Sequence, residues 1–173
     1  MKIIVKNNIV QATHGDDQAV ESLYPGTKAL IIPDVFRKTD GNRITVGDNL
    51  LECLDLTTAR TMMRKHIESG MTHALESGFV CSNGIKIQCA EIDMIRWMQA
   101  KSLIDLAGLS DINIRDYDNV IRSVLASDFS VMMQDAGLYI QGLLANAWYL
   151  KDGINSSLAT ISDVLNAQWP SDG

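Results

Sequence analysis

The sequence lacks long hydrophobic runs and clusters of positive charge. No apolar stretch among its 173 residues approaches the roughly 20 residues of a membrane span. The start, MKIIVKNNIVQATHGDD, has neither the long apolar region nor the small-residue cleavage site of a signal peptide. The net charge is −6, and adjacent basic residues occur only at Arg37-Lys38 and Arg64-Lys65, whereas nucleic-acid binding typically leaves a basic stripe. We therefore expect a soluble protein kept in the cytoplasm, with no membrane partner and no nucleic-acid partner.

Recognisable catalytic motifs are also missing, since the chain has no GxSxG, no Walker loop and no GxGxxG. Of its three histidines, His66 falls on the apolar stripe of a predicted helix, which favours a structural role over a catalytic one. His73 follows seven residues later, but the pair does not form HExxH and no third ligand is evident, so we expect no zinc site. His14 begins a loop in which a cation site is one interpretation, and a helix N-cap at Asp16 is the simpler one.

The closest carboxylate pairs are Glu91/Asp93 and Asp116/Asp118. Two positions apart on a helix, Glu91 and Asp93 do not face each other. Asp116 and Asp118 flank a turn, where aspartate is common because it hydrogen-bonds locally. The residues alone therefore predict no catalytic, cofactor-binding or metal-binding side chain, and a hydrolase that uses His66 or the Asp116/Asp118 turn is the alternative.

The cysteines are only three, an odd number, which in a reducing compartment favours free buried thiols. Cys53 stands apart, while Cys81 and Cys89 lie within the hairpin sequence FVCSNGIKIQC, where Asn83-Gly84 is a strong two-residue turn signal. With that turn, Cys81 faces Lys86 across the hairpin, so the two thiols point to opposite sides, with Cys89 toward the core. This register predicts neither a disulfide nor a shared metal ion.

The sequence does contain 46 % apolar residues, in alternating and helical patterns that predict an α+β fold. We expect a small β-rich N-terminal module over residues 1–55. Its predicted elements are a hairpin over 2–13 turning at Asn7-Asn8, a helix capped by Asp16 that stops at Tyr24-Pro25-Gly26, a strand over 28–33 and a short strand over 43–46.

Residues 56–173 predict a mainly helical domain with two β-hairpins inserted between its helices. The predicted helices span 57–77, 90–107 and 128–152 with a short one from Thr160, and the hairpins span 79–89 and 112–124. Apolar residues of the second helix spread around most of its circumference, which is typical of a helix that packs on more than one side. In the long helix Ser127 is the predicted N-cap, and Gly137 and Gly142 predict the close approach of another helix.

Three aromatic residues near the C terminus are candidate interaction residues: Trp148, Tyr149 and Trp169. Because Trp148 and Tyr149 are adjacent on the long helix, they cannot both face one core, and a contact surface and ordinary amphipathic packing are equally good interpretations. Leu165 and Trp169 are expected to fold back against the long helix or the 57–77 helix. The C-terminal segment is then either a lid on the core or part of a docking patch.

The order of these elements resembles a family of domains of uncharacterised function in tailed-phage and prophage proteins, which are described as tail, tail-fibre-associated or assembly proteins. The motifs that carry the resemblance are SNGIKI at 82–87, RDYDN at 115–119, WYLK at 148–151 and Trp169-Pro170. The N-terminal part is similar to the small β module that heads many phage tail proteins, through LYPG at 23–26, IIP at 31–33 and Gly47-Asp48. Where that module continues with an aromatic-containing strand, this chain has NLLECL.

The resemblance implies a non-enzymatic protein without a cofactor that acts through protein–protein contacts. The implied partner is a phage tail or tail-fibre protein, and the implied location is the host bacterial cytoplasm during assembly, or the virion. Because phage fibres are commonly trimeric, a homo-oligomer is also expected, although no heptad run in the sequence specifies a trimer. A small cytoplasmic enzyme of hydrolase type, with an acidic or histidine site, is the alternative.

Overall fold

A computed structural model describes residues 2–15, 27–31 and 37–170 of the chain. These residues form five helices and seven strands in three small antiparallel sheets, so the predicted α+β class is confirmed. The chain divides into two compact units, residues 1–70 with 147–173 and residues 71–146, and each is described by itself below. The boundary predicted between a module over 1–55 and a domain over 56–173 stays a prediction.

Some predicted elements lie outside the described residues. They are the helix from Asp16 to the stop at 24–26 and the proline end of the 28–33 strand.

The first unit contains a three-stranded antiparallel sheet with the order β2-β1-β3. Its strands are β1 (Lys2–Lys6), β2 (Ile9–His14) and β3 (Lys28–Ile31). β1 and β2 are joined at Asn7-Asn8, whose φ angles of 51° and 64° are the left-handed pair that a two-residue hairpin turn requires. The hairpin predicted over 2–13 is confirmed. Asparagine suits the turn because it tolerates this backbone conformation better than most residues.

The segment that leads from the sheet to the first long helix differs from the prediction. Residues 43–46, predicted as a strand, are irregular and end in a turn. The Asp48 carboxylate accepts hydrogen bonds from the amide and the hydroxyl of Thr45, at 2.6 and 3.1 Å, and so closes that turn. A short helix, α1 (Leu50–Cys53), then follows.

The helix predicted over 57–77 is confirmed as α2 (Leu56–Glu76). Asp55 fixes its start, because the Asp55 carboxylate accepts hydrogen bonds from the amide and hydroxyl of Thr58 at 2.8 and 3.0 Å. Gly78, with a φ of 76°, follows its end. The buried apolar residues of α2 recur at helical spacing: Ala59, Met62, Met63, Ile67 and Ala74.

The register of the first hairpin in the second unit differs by one residue from the predicted one. β4 (Phe79–Val80) pairs with β5 (Lys86–Ile87), so that Val80 and not Cys81 faces Lys86. The Gly84 amide donates to the Cys81 carbonyl at 2.8 Å, and the Cys81 amide donates to the Ile85 carbonyl at 2.9 Å, which makes the loop three residues long. Gly84, with a φ of 80°, occupies the left-handed position that ends such a loop.

Both cysteines of this hairpin lie in the core, so the prediction that the two thiols point to opposite sides, with only Cys89 toward the core, is wrong. A shift of one residue exchanges the two faces of a strand, and Cys81 and Cys89 are 3 % and 1 % exposed within the same buried cluster. Burial raises the pKa of each thiol to about 11, which suppresses the reactive thiolate at neutral pH. Cys53, in the first unit, is half-buried, and all three are free thiols.

The second hairpin follows α3 (Glu91–Ala107) and is formed by β6 (Asp111–Arg115) and β7 (Ile121–Leu125), as predicted over 112–124. It is tied to the first hairpin, because the Tyr117 amide donates to the Lys86 carbonyl at 2.9 Å and the Lys86 ammonium lies 3.8 Å from the centre of the Tyr117 ring. Only one side of α3 is buried among the described residues, contrary to the expectation that this helix packs on more than one side.

The longest helix, α4 (Ala126–Asn155), follows β7 directly and corrects three expectations. Ser127 is inside the helix, with its hydroxyl 3.5 Å from the Asp128 carboxylate, and is not the N-cap. The helix continues three residues beyond the predicted end at 152. At Gly137 and Gly142 no described atom lies within 4 Å of the position that a Cβ would take, so no helix approaches closely there.

The C-terminal segment of the first unit folds back onto α2, as predicted. α5 (Ile161–Asn166) begins at Thr160 with the predicted capping box, and Leu165 is buried. The Trp169 ring then lies against Gly70 of α2, so closely that a Cβ added to Gly70 would be 2.3 Å from Cγ of the indole.

Candidate functional site

The aromatic residues predicted as interaction candidates take two kinds of position in the first unit. Trp148 and Tyr149, the aromatic pair from here on, lie on α4 with 63 % and 76 % of their surface exposed. Trp169 is half-buried instead, with its ring on Gly70. The structure therefore places the aromatic pair together at the surface and gives Trp169 a packing contact with α2.

The aromatic pair points outward because other residues near the end of α4 anchor it. Ala147 and Ile154, seven residues apart and so on the same side of the helix, are 3 % and 1 % exposed. Lys151 forms an ion pair with Glu68 of α2 at 3.2 Å, and Arg60 of α2 donates to the Ile154 carbonyl at 2.8 Å. These contacts fix the rotation of α4 about its axis, so the outward orientation of the aromatic pair is built into the fold of this unit.

His66 lies half-buried on α2, and its Nδ1 has no hydrogen-bond partner among the described residues. Nδ1 is the atom that an orienting carboxylate holds in a catalytic histidine of the triad type. Burial lowers the pKa of His66, so the ring is neutral at pH 7. His73 is exposed. In the part of the chain that the structure describes, no three His, Cys, Asp or Glu side chains are grouped so that they could hold a metal ion.

A polar cleft of about 320 Å³ lies in the second unit, next to α3 and the β6–β7 hairpin. The charged residues that line it are Asp93, Arg96, Arg115 and Asp116. One member of each predicted carboxylate pair is thus brought to the same cleft, and the other members, Glu91 and Asp118, do not line it. His66 belongs to the first unit and does not line it either.

The carboxylates of this cleft already have partners that stabilise the fold. Asp116 accepts hydrogen bonds from Nε of Arg122 at 2.6 Å and from the Val120 amide at 2.8 Å, which closes the β6–β7 turn. Arg122 holds the pKa of Asp116 below its ordinary value. Asp93 pairs with Arg96 at 3.3 Å. A general acid of a glycosidase needs a pKa raised toward neutrality, so the shift at Asp116 is opposite to that requirement.

A second polar hollow, of about 390 Å³, lies in the first unit beside α1. The charged residues that line it are Lys38, Asp40, Asp48 and Glu52. Lys38 forms an ion pair with Asp48 at 3.2 Å, and this contact raises the pKa of Lys38. A protonated, paired lysine is a poor nucleophile, so Lys38 is not arranged for covalent catalysis.

No family model, no curated protein and no solved structure matches this chain. The resemblance to phage tail proteins is therefore an expectation that rests on the sequence motifs alone. Among the described residues, no helix combines the length and the hydrophobicity that crossing a bilayer requires.

Proposed function

We propose that the protein acts through protein–protein contacts rather than by catalysis, and that its partner is a phage tail or tail-fibre protein. The observation that carries the proposal is the aromatic pair, an indole and a phenol ring exposed side by side on an anchored helix. Tryptophan and tyrosine are enriched among the residues that dominate interfaces, because each buries about 150–250 Å² and keeps a polar atom for a hydrogen bond. Two such rings can form the anchor of an interface.

The nature of the partner comes from the resemblance, whose WYLK motif at 148–151 includes the aromatic pair. The residues of the motif take two kinds of position. Lys151 holds α4 to α2 through Glu68, while the aromatic pair faces outward. In this proposal the lysine positions the helix and the two rings meet the partner, in the host cytoplasm during assembly or in the virion.

The proposal is tested by co-expressing the protein with the tail and fibre proteins of the same phage and titrating the copurified partner by calorimetry. Trp148→Ala and Tyr149→Ala should each weaken binding at least about thirtyfold, since truncating an interface hot spot costs about 2 kcal/mol or more, with the melting temperature unchanged. Leu158→Ala, a change at a still more exposed apolar residue of the same unit, serves as the matched control and should bind normally. Full binding by both aromatic variants, or lowered melting with intact binding, would refute the docking role.

A small hydrolase is the second candidate, and one observation favours it: the polar cleft brings Asp93 and Asp116 together. The test is hydrolysis of ester and glycoside substrates by the wild type and by Asp93→Asn, with Asp118→Asn as the control. Activity that disappears only in the Asp93 variant would support an enzyme. Equal rates in all three proteins would remove this candidate.

A further inference from the structure

The polar cleft of the second unit lies between α3 and the strand β6. The residues of α3 that line it recur at helical spacing: Asp93, Arg96, Trp97 and Ala100. From the end of β6, four consecutive residues, 113–116, line the same cleft. A cleft above one face of a strand would meet only every second residue, because side chains alternate between the two faces. The run of four therefore indicates that the edge of β6 borders the cleft.

The register of the β6–β7 hairpin defines which backbone groups of β6 lie at this edge. Asp116 and Val120 form a hydrogen-bonded pair, since the Asp116 amide donates to the Val120 carbonyl at 3.0 Å. Opposite residues of antiparallel strands alternate between hydrogen-bonded and non-hydrogen-bonded pairs. Asn113 and Arg115, three residues and one residue before Asp116, therefore belong to non-hydrogen-bonded pairs. Their amides and carbonyls point away from β7.

The amides and carbonyls of Asn113 and Arg115 form an open edge of β6. Among the described residues none of these four groups has a hydrogen-bond partner. An unpaired strand edge is a template for a further strand, and a sheet of only two strands is marginal by itself. The cleft between this edge and α3, of about 320 Å³, has the size for a few residues of an extended chain and not for a second folded sheet.

We propose that the cleft binds an extended segment of a partner protein, which pairs with the open edge of β6 as a third strand of the hairpin sheet. In this mode of recognition backbone hydrogen bonds give affinity and side-chain contacts give specificity. Asn113 and Arg115 each offer one donor and one acceptor, so the segment gains four backbone hydrogen bonds. Trp97 and Ile114, which are 9 % and 5 % exposed, supply apolar contact surface in the cleft.

The charges of the cleft select an acidic segment. Asp116 accepts from Nε of Arg122 at 2.6 Å, and Asp93 pairs with Arg96 at 3.3 Å, so each aspartate already has a basic partner. Arg115 is exposed and forms no ion pair with any residue that the structure describes. A guanidinium matches a carboxylate through two parallel hydrogen bonds. We therefore expect an aspartate or glutamate of the bound segment beside Arg115.

Selection from a library of random heptapeptides on the full chain tests the proposal, with the enriched peptides then titrated by calorimetry. Asn113→Pro removes one amide of the open edge and keeps the bonds to β7, because an edge strand tolerates proline where its N–H faces outward. It should weaken binding at least about tenfold. Ser123→Pro is the matched control, since Ser123 lies opposite Asn113 and its amide faces the outer edge of β7. It should bind like the wild type, with the melting temperature as the check of folding.

Hydrogen exchange of the wild type gives a readout that needs no proline variant. With peptide bound, the amides of Asn113 and Arg115 should exchange at least about tenfold more slowly, and the Ser123 amide should exchange at its former rate. Trp148→Ala should bind the peptides like the wild type, so the result is independent of the aromatic pair. No peptide enriched on the wild type, or unchanged exchange at Asn113 and Arg115 with peptide bound, would overturn the proposal.

Arg115→Gln tests the choice of an acidic segment. It should weaken the enriched peptides at least about tenfold. Against the same peptides with their acidic residue replaced by its amide, Arg115→Gln should have no further effect, since the two changes remove one contact. Enriched peptides without an acidic residue, or additive losses from the two changes, would overturn the role of Arg115.

Discussion

Replacing Gly70 by alanine tests how the C-terminal segment is held to α2. In a helix interior alanine is more favourable than glycine by about 1 kcal/mol. Here the new methyl would lie 2.3, 2.6 and 2.7 Å from Cγ, Cδ1 and Cβ of Trp169, so the indole must leave its place. Displacing a half-buried tryptophan or overpacking its site costs about 2 kcal/mol. Gly70→Ala should therefore lower the free energy of unfolding by about 1 kcal/mol.

The measurement is urea denaturation followed by circular dichroism, on single and double variants. In a Trp169→Ala background the same Gly70→Ala change meets no ring and should stabilise by about 1 kcal/mol. The coupling between the two positions is then about 2 kcal/mol, in the range found for residues in contact. Gly142→Ala is the matched control, because no described atom lies within 4 Å of the added Cβ, and it should stabilise in both backgrounds.

The sign of the change that Gly70→Ala causes in the free energy of unfolding shows whether the Trp169 indole rests on Gly70. If Gly70→Ala stabilises the wild type, or changes stability equally with and without the Trp169 ring, the indole does not rest on Gly70. The account of the C-terminal segment as packed on α2 would then be wrong.

Two further predictions concern ionisable groups. Burial raises the pKa of Cys81 and Cys89 to about 11 from an ordinary value of 9.0. Between pH 9 and 11 both thiols therefore stay protonated in the folded protein, while they ionise in the unfolded chain. The free energy of unfolding should fall over this interval, on the order of 2 kcal/mol per thiol. A variant with alanine at both positions should be less stable at neutral pH. In urea titrations it should lose less unfolding free energy between pH 9 and 11 than the wild type does. A loss equal to that of the wild type would contradict the burial of the thiols. Arg122 lowers the pKa of Asp116, so the stability from this contact is present above the ordinary value of 3.8 and is lost as the pH falls through the lowered pKa. Asp116→Asn should be less stable at pH 7 and show a smaller loss in acid, whereas Asp118→Asn, with the same change of charge at an exposed residue, should behave like the wild type.

Local sequence patterns predicted most helices and hairpins correctly. They predicted hairpin register and burial in the core less well, because these depend on tertiary packing. Asn7-Asn8 gave the correct turn because a positive φ at both positions is a property of the turn itself. Asn83-Gly84 gave the wrong register, since the same two residues also end a three-residue loop, and only packing in the core decides between the two. The sequence could not show which loop length buries Cys81.

The exposed surfaces of α4 and α3 differ in how far the sequence predicted them. Two adjacent aromatic residues on one helix already imply that one of them is exposed, and the structure exposes both Trp148 and Tyr149. Apolar residues spread around most of α3 are equally typical of packing on two sides, and the structure buries only Asp93, Trp97 and Ile104 of this helix.

The three-residue loop between β4 and β5 also sets how this protein ages chemically. Asparagine followed by glycine is the sequence most prone to deamidation, because the glycine amide nitrogen can attack the asparagine side chain and leave aspartate or isoaspartate. In the folded loop the Gly84 amide donates to the Cys81 carbonyl at 2.8 Å, and Oδ1 of Asn83 accepts from the Ile85 amide at 3.1 Å. Both reacting groups are thus engaged in other hydrogen bonds in the folded loop, so we expect Asn83 to deamidate more slowly in the folded protein than in the unfolded chain.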